Sequence, residues 1–290
     1  WSSDVCSSDL HRPQPVGSGL VIQPVGQAVL DAVGAGDAAR KAGNAIERML
    51  GQEAEIGRKV LNVWYSKTEG GPFGLAIHRA SLFDALFSAV TARDIALQTS
   101  SQVTQVQSGM VRLADGRAKG PFDLIVDSAG AGSPLSPLIA QPLPYGAIWG
   151  TVDWPGTALP RTQLSQCYRR ADRMVGVLPI GRMPSDDTAK AAIFWSLPRD
   201  AHVDWLKTGL DVWRKEATAL WPDFAPFAAQ ITSADQMTMA RYSHGTLRKP
   251  WSPGLVHLGD AAPRASPPLG QGANIARLAA LALTRAFDLP

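Results

Sequence analysis

"GDAAPRASPPLGQGAN", residues 259–274, sets one acid among three glycines and three prolines, between the apolar run "LVHL" (residues 255–258) and an alanine- and leucine-rich stretch running to Phe287. A buried strand at "LVHL" delivers Gly259 and Asp260 to its C-terminal edge, where open α/β sheets hold their ligands. There Asp260 accepts hydrogen bonds from a sugar-like hydroxyl; a strand-end turn or helix cap is the competing use of the same residue. Pro267 and Pro268 stiffen the approach. Gly270, Gln271 and Gly272 let the backbone come close to a flat ligand, and Ala273 and Asn274 follow as the helix begins. The first N–H groups of a helix have no partner inside it, and its dipole favours negative charge beside them. The loop suits an anion, such as the pyrophosphate of a dinucleotide.

Upstream, "GLVIQ" (residues 19–23) reads as a short strand, followed by a helix carrying Val25, Val29, Leu30 and Val33. "GAGDAA" (residues 34–39) matches a dinucleotide fingerprint by letters, but it follows a helix rather than a strand and so reads as a helix-end loop. "GLAIHRASLFDALFSAV" (residues 74–90) runs from strand to helix, with Ser81 expected to cap and Leu82, Ala85, Leu86 and Ala89 on one face. "IALQT", "QVTQVQ" and "MVRLAD" read as a three-stranded meander, and "FDLIVDSAG" (residues 122–130) as a buried parallel strand ending in a glycine loop. Long alternating segments follow: "YGAIWGTVDW", "QLSQCYRRA", "RMVGVLPIG" and "KAAIFWSLP" predict an antiparallel sheet covered by one helix over residues 202–221. The pattern is a mixed α/β (α+β) fold with two sheet regions.

The 290 residues, 45% of them apolar, suffice for a full core in one large or two modest domains. The net charge of +3 is spread along the chain, with no Lys/Arg block and no aromatic-basic alternation, which argues against a nucleic-acid groove. Cys6 and Cys167 are too few and too far apart for a disulfide framework or a metal cage, which points to a reducing compartment, the cytoplasm. The five histidines, His11, His78, His202, His244 and His257, show no ligand spacing, so no metal site is expected. No segment reaches the roughly 20 apolar residues of a bilayer span. "WSSDVCSSDL" (residues 1–10) repeats Ser-Ser-Asp without apolar periodicity; residues 4–10 back-translate into a common sequencing-library adapter, so the segment reads as a non-native leader.

Taken together, Gly259, Asp260, Ala261 and Ala262 with Pro267, Gly270, Gln271, Gly272 and Asn274 resemble the paired Gly-Asp and Gly-Gln-Gly motifs of the FAD-dependent monooxygenases of the aromatic-hydroxylase type. "PVGSGLVIQPVG" (residues 15–26) is similar to the segment after the second strand of that family's FAD domain. "HRASLFDAL" looks like its Arg-x-x-Leu helix, whose arginine, here Arg79, approaches the flavin. "YGAIWGTVDW", "RMVGVLPIG" and "HGTLRKPW" resemble its substrate domain. The resemblance implies a partial FAD-binding Rossmann-like domain (residues 11–142 and 251–290) with an inserted antiparallel-sheet substrate domain (residues 143–250). It further implies non-covalent FAD, NAD(P)H as co-substrate, and insertion of one atom of molecular oxygen into a small organic substrate. Cofactor contacts then fall to Arg79, Gly259, Asp260, Pro267, Gly270, Gln271, Gly272, Ala273 and Asn274, and the substrate wall to Tyr145, Trp149, Tyr168, Trp195 and Tyr242.

Four positions depart from the family pattern: Pro263 for a histidine, Ala129 for the aspartate of an Asp-Gly motif, Ser136 for its terminal arginine, and Ala279 for an acid of the last helix. The family's N-terminal Gly-x-Gly-x-x-Gly unit and C-terminal helices have no counterpart, so the chain is expected to be an internal fragment that holds FAD poorly. Two other readings keep the fold: a flavin-dependent reductase or dehydrogenase, and a truncated ligand-binding chain without redox chemistry.

Overall fold

The computed structural model describes residues 19–67, 73–264 and 272–287. In chain order the first elements are β1 (Gly19–Ile22), α1 (Pro24–Ala32), α2 (Gly36–Ala42), β2 (Asn44–Ile46), β3 (Arg48–Glu53), β4 (Lys59–Trp64), β5 (Gly74–His78) and α3 (Arg79–Thr91). Four short strands follow, β6 (Val103–Gln107), β7 (Met110–Leu113), β8 (Ala118–Lys119) and β9 (Ile125–Asp127). Next come β10 (Gln141–Asp153), β11 (Gln163–Arg169), β12 (Arg173–Met183), β13 (Asp186–Pro198), α4 (His202–Thr208), α5 (Leu210–Leu220), α6 (Ala225–Ala228) and β14 (Met237–Thr246). The chain closes with β15 (Trp251–Ser252), β16 (Leu255–His257), β17 (Pro263–Arg264) and α7 (Gly272–Phe287). Its described residues divide into two compact units: residues 19–67 and 73–93 with 143–242, and residues 94–142 with 243–264 and 272–287.

The first unit is built on alternation. Its large sheet runs β14-β10-β13-β12-β11-β3-β4. β10, β13, β12 and β11 pair antiparallel, while β11 and β3 pair parallel. Successive side chains point to opposite faces of a strand. Ile148, Val177, Ile193 and Trp195 therefore share one face, where Trp205, Trp213, Phe224 and Phe227 cover them. Leu164, Leu178, Ile180 and Phe194 share the other, packed with Val21, Ile46 and Ala76 of the small β1-β5-β2 sheet. Behind that sheet, Ile22, Leu75 and Ile77 meet Leu30, Ala39, Leu82 and Ala85 of α1, α2 and α3. Each large apolar side chain buried in these layers contributes roughly 1.5–3 kcal/mol.

The antiparallel sheet lies where alternation predicts it. The helix expected over residues 202–221 is two helices, because Gly209 has φ +87°, a left-handed conformation that breaks the hydrogen-bond ladder. "GAGDAA" lies between α1 and α2 and opens a helix without a preceding strand, which leaves no βα turn to hold phosphate. Ser81 does not cap α3: the cap is His78, and the Ser81 hydroxyl donates to the Arg182 carbonyl over 2.6 Å.

In the second unit β6, β7 and β8 form the meander, joined by a two-residue turn at Ser108 and Gly109. "IALQT" is not one of its strands; it forms no regular structure, and Ile95 and Leu97 are exposed. β9 pairs parallel with β16, which pairs antiparallel with β15. Among the described residues β9 is thus an edge strand of three residues with Val126 exposed, where the apolar run predicts burial on both faces.

Candidate functional site

The Gly-Asp turn grows directly out of a parallel strand pair. β16 and β9 run in register, His257 opposite Asp127, and the Leu258 N–H donates to the Asp127 carbonyl over 2.8 Å. Residues Gly259–Ala261 then wind into a single tight helical turn, closed by the Ala262 N–H on the Gly259 carbonyl at 2.8 Å. Gly259 has φ +55°, a region that side chains with a Cβ rarely adopt, so glycine is the residue that permits this exit. α7 backs the turn: a Cβ on Gly259 would lie 3.4 Å from that of Ala276. Ala261 and Ala262 are buried, Asp260 is half-buried, and among the described residues its carboxylate has no hydrogen-bonding partner.

Gly272 and Ala273 open α7, and Asn274 is buried in its first turn. Pro267, Gly270 and Gln271 lie outside the described residues. Two arginines of this unit carry unsatisfied donors: among the described residues, Nε of Arg264 and of Arg277 are buried without a partner. Arg264 otherwise donates to the Ala131 carbonyl, and Arg277 to the Ala273 carbonyl over 2.9 Å. Burial lowers the Arg277 pKa to about 10, and among the described residues no carboxylate pairs with it. Orphaned cationic donors together with an unengaged acid suit a ligand that carries both anionic groups and hydroxyls, so the residues present fit a flavin dinucleotide.

Sequence reasoning singled out Ala129 and Ser136 in the altered Asp-Gly segment and missed Asp127, whose buried carboxylate meets His257. An acid ending the run "LIVD" and a histidine at the same depth of "LVH" were the available signal. Ser136, where the family pattern has arginine, donates its hydroxyl to the Ala261 carbonyl over 2.5 Å.

Arg79 belongs to the other unit, where it opens α3 and is half-buried. Before it, the His78 Nδ1 accepts the Ala80 N–H over 3.1 Å. Burial, assisted by the charges of Arg79 and Lys190, lowers the His78 pKa to about 4, so at neutral pH the ring is uncharged and free to accept.

The five aromatic residues expected in a substrate wall all lie in that unit, on two faces of its sheet. Trp149 opposes Phe194 across β10 and β13, with ring centroids 4.5 Å apart, and its Nε1 donates to the Tyr242 hydroxyl over 2.9 Å. Tyr168 shares this face, its ring lying over Gly51, and its hydroxyl donates to Gln166 over 3.1 Å. Tyr145, four residues before Trp149 on β10, is exposed beside an open depression lined by Glu55, Arg169 and Arg170. Trp195 is not brought to the others. It follows Phe194, so it points to the opposite face, where it is 1% exposed in the core against Trp213 and beneath the Arg173 guanidinium.

Comparison with solved structures places this architecture. PqsL of Pseudomonas aeruginosa, in a structure with 2-aminobenzoylacetate, superposes with a TM-score of 0.79 at 19% identity, over 96% of this chain and 77% of PqsL. The chain has the fold of the FAD-dependent aromatic hydroxylases. HpxO of Klebsiella pneumoniae, in a structure with FAD, shares that fold with a TM-score of 0.74 at 18% identity, over 95% of this chain and 74% of HpxO. In sequence, the hydroxylase-fold chain is 28% identical to AqdB1 of Rhodococcus erythropolis, for which the name proposes a 2-heptyl-3-hydroxy-4(1H)-quinolone synthase activity. The match covers 94% of this chain and 70% of AqdB1. No family model matches the chain. Among the described residues no helix is long and apolar enough to cross a membrane.

Proposed function

We propose that this chain is the flavin- and substrate-binding part of a FAD-dependent monooxygenase that hydroxylates or epoxidises a small aromatic or apolar molecule with NAD(P)H and molecular oxygen in the cytoplasm. The observation that carries the reading is the Gly-Asp turn at the C-terminal edge of the parallel pair β9 and β16, backed by α7, with the Asp260 carboxylate unengaged. Asp260 accepts a hydrogen bond from a hydroxyl of the cofactor's sugar-alcohol chain, and the positive end of α7 favours its electron-rich ring. When bound, the flavin supplies redox chemistry and oxygen activation, which the side chains of the protein lack.

In the other unit, the half-buried Trp149, Tyr168 and Tyr242, with Trp149 backed by the buried Phe194, offer an aromatic face suited to hold a planar substrate and exclude water. AqdB1 and PqsL are associated by name with a quinolone and an aminobenzoyl compound. Both are aromatic rings bearing nitrogen and a carbonyl, and we extend that substrate class to this chain.

Titrating the purified chain with FAD tests the reading. A perturbed visible spectrum and quenched flavin fluorescence are expected; a flavin spectrum identical to that of free FAD rejects it. With FAD bound, oxygen-dependent NAD(P)H consumption yielding a hydroxylated product supports a monooxygenase, and turnover without oxygen incorporation reassigns the chain to a reductase or dehydrogenase.

A further inference from the structure

The Asp127 carboxylate is 1% exposed, yet three donors converge on it. Its Oδ1 accepts the Ala129 N–H over 3.1 Å, and its Oδ2 accepts the Ser133 hydroxyl over 2.7 Å. The same Oδ2 lies 2.7 Å from His257 Nδ1; a carboxylate only accepts, so Nδ1 carries the proton. The buried acid thus joins the end of β9, the loop after it and the end of β16, two residues before Gly259. A second tie runs from the far end of that loop, where Ser136 donates to the Ala261 carbonyl inside the Gly-Asp turn. Both ends of residues 127–136 are therefore bonded to residues 257–261. Ser133 and Ser136 are themselves held, their hydroxyl oxygens accepting the Leu135 and Leu138 N–H groups over 3.1 and 3.2 Å.

We infer that Asp127 is a positioning residue: through His257 and Ser133, with Ser136 as a second tie, it sets the Gly-Asp turn in the conformation that presents Asp260 to a ligand. The ligand's identity as FAD rests on the function proposed above. The tie itself does not, because it is made entirely within one unit of the protein. It stands close to the positions where the Asp-Gly pattern has an aspartate and an arginine and this chain has Ala129 and Ser136. Hydrogen bonds to a buried charged acceptor are short and directional, so removing the acid releases three donors together and leaves the turn to its own backbone bonds.

The test uses the full chain with Asp127→Ala, Asp127→Asn and Ser136→Ala, read by amide hydrogen exchange and by FAD titration. Asp127→Ala is expected to accelerate exchange across residues 258–262 at least tenfold and to weaken FAD binding by a comparable factor. Exchange in β11, β12 and β13 stays unchanged. Asp127→Asn, which retains one carbonyl acceptor, falls between. Ser136→Ala removes one hydroxyl from a half-buried site and tests the second tie even if Asp127→Ala does not fold; residues 261 and 262 exchange faster while β9 and β16 keep their protection. Unchanged exchange at the turn in Ser136→Ala and in either folded Asp127 variant overturns the inference. Faster exchange at the turn with no FAD uptake by the unmodified chain upholds the positioning role and rejects the flavin.

Discussion

The indole Nε1 of Trp149 donates to the Tyr242 hydroxyl over 2.9 Å, joining β10 to β14 on the face that carries Phe194. Burial raises the Tyr242 pKa above its ordinary value, with the indole bond acting against it, so the hydroxyl stays protonated at neutral pH. Tyr242→Phe removes the acceptor and leaves a half-buried N–H unpaired, at a cost of about 1–2 kcal/mol. The urea midpoint should fall while the slope stays the same, together with a change in tryptophan emission. An unaltered midpoint means that the bond is not made in solution.

Gly176 sits directly across from Phe194 in the register of β12 and β13, and a Cβ added there would lie 2.0 Å from the ring. The ring would have to leave its place over the strand. Gly176→Ala should therefore destabilise the first unit by about 1–3 kcal/mol. Combining it with Phe194→Leu, which vacates the space, should cost less than the sum of the two single changes. A double variant whose cost equals that sum shows that the two positions are not coupled.

What could be read from the chain beforehand was whatever local spacing encodes. The strands at Ile148, Val177 and Ile193 follow from alternation, and the Gly-Asp turn from glycines at fixed distances. Partners far apart in sequence were not legible. Asp127 and His257 are 130 residues apart, and nothing local states that β9 and β16 align them. Ser81 bonds a carbonyl 101 residues away, which left the cap of α3 to His78. Trp195 shows a second kind of failure: Phe194 and Trp195 are both apolar, so the sequence around them gives no sign of which one faces the helices.

His78 makes the first unit sensitive to pH. Its pKa falls from 6.5 to about 4 on folding, through burial and then the charges of Arg79 and Lys190. The unfolded chain binds the extra proton first, so stability is complete above pH 6.5 and declines as the pH drops toward about 4, by roughly 1–3 kcal/mol. His78→Asn keeps a side-chain acceptor at the cap and does not titrate. Denaturant midpoints measured from pH 7 to pH 4 should fall less steeply in the variant; equal slopes would assign the acid sensitivity to other groups.

Arg277 is a buried charge in the second unit. Among the described residues its Nε is buried without a partner and its one hydrogen bond is to a carbonyl of its own helix, and its lowered pKa reflects the loss of water around the guanidinium. A buried cation without a counter-ion destabilises the chain that carries it. Arg277→Met keeps much of the length without the charge and should stabilise the ligand-free chain by about 1 kcal/mol. With FAD present the sign reverses, because the anionic cofactor meets one positive charge fewer, and the rise in melting temperature on adding FAD should shrink. Thermal unfolding of both proteins with and without FAD checks the two effects separately. No gain in the ligand-free variant means that the guanidinium has found a counter-charge, and an equal rise with FAD means that Arg277 faces away from the cofactor.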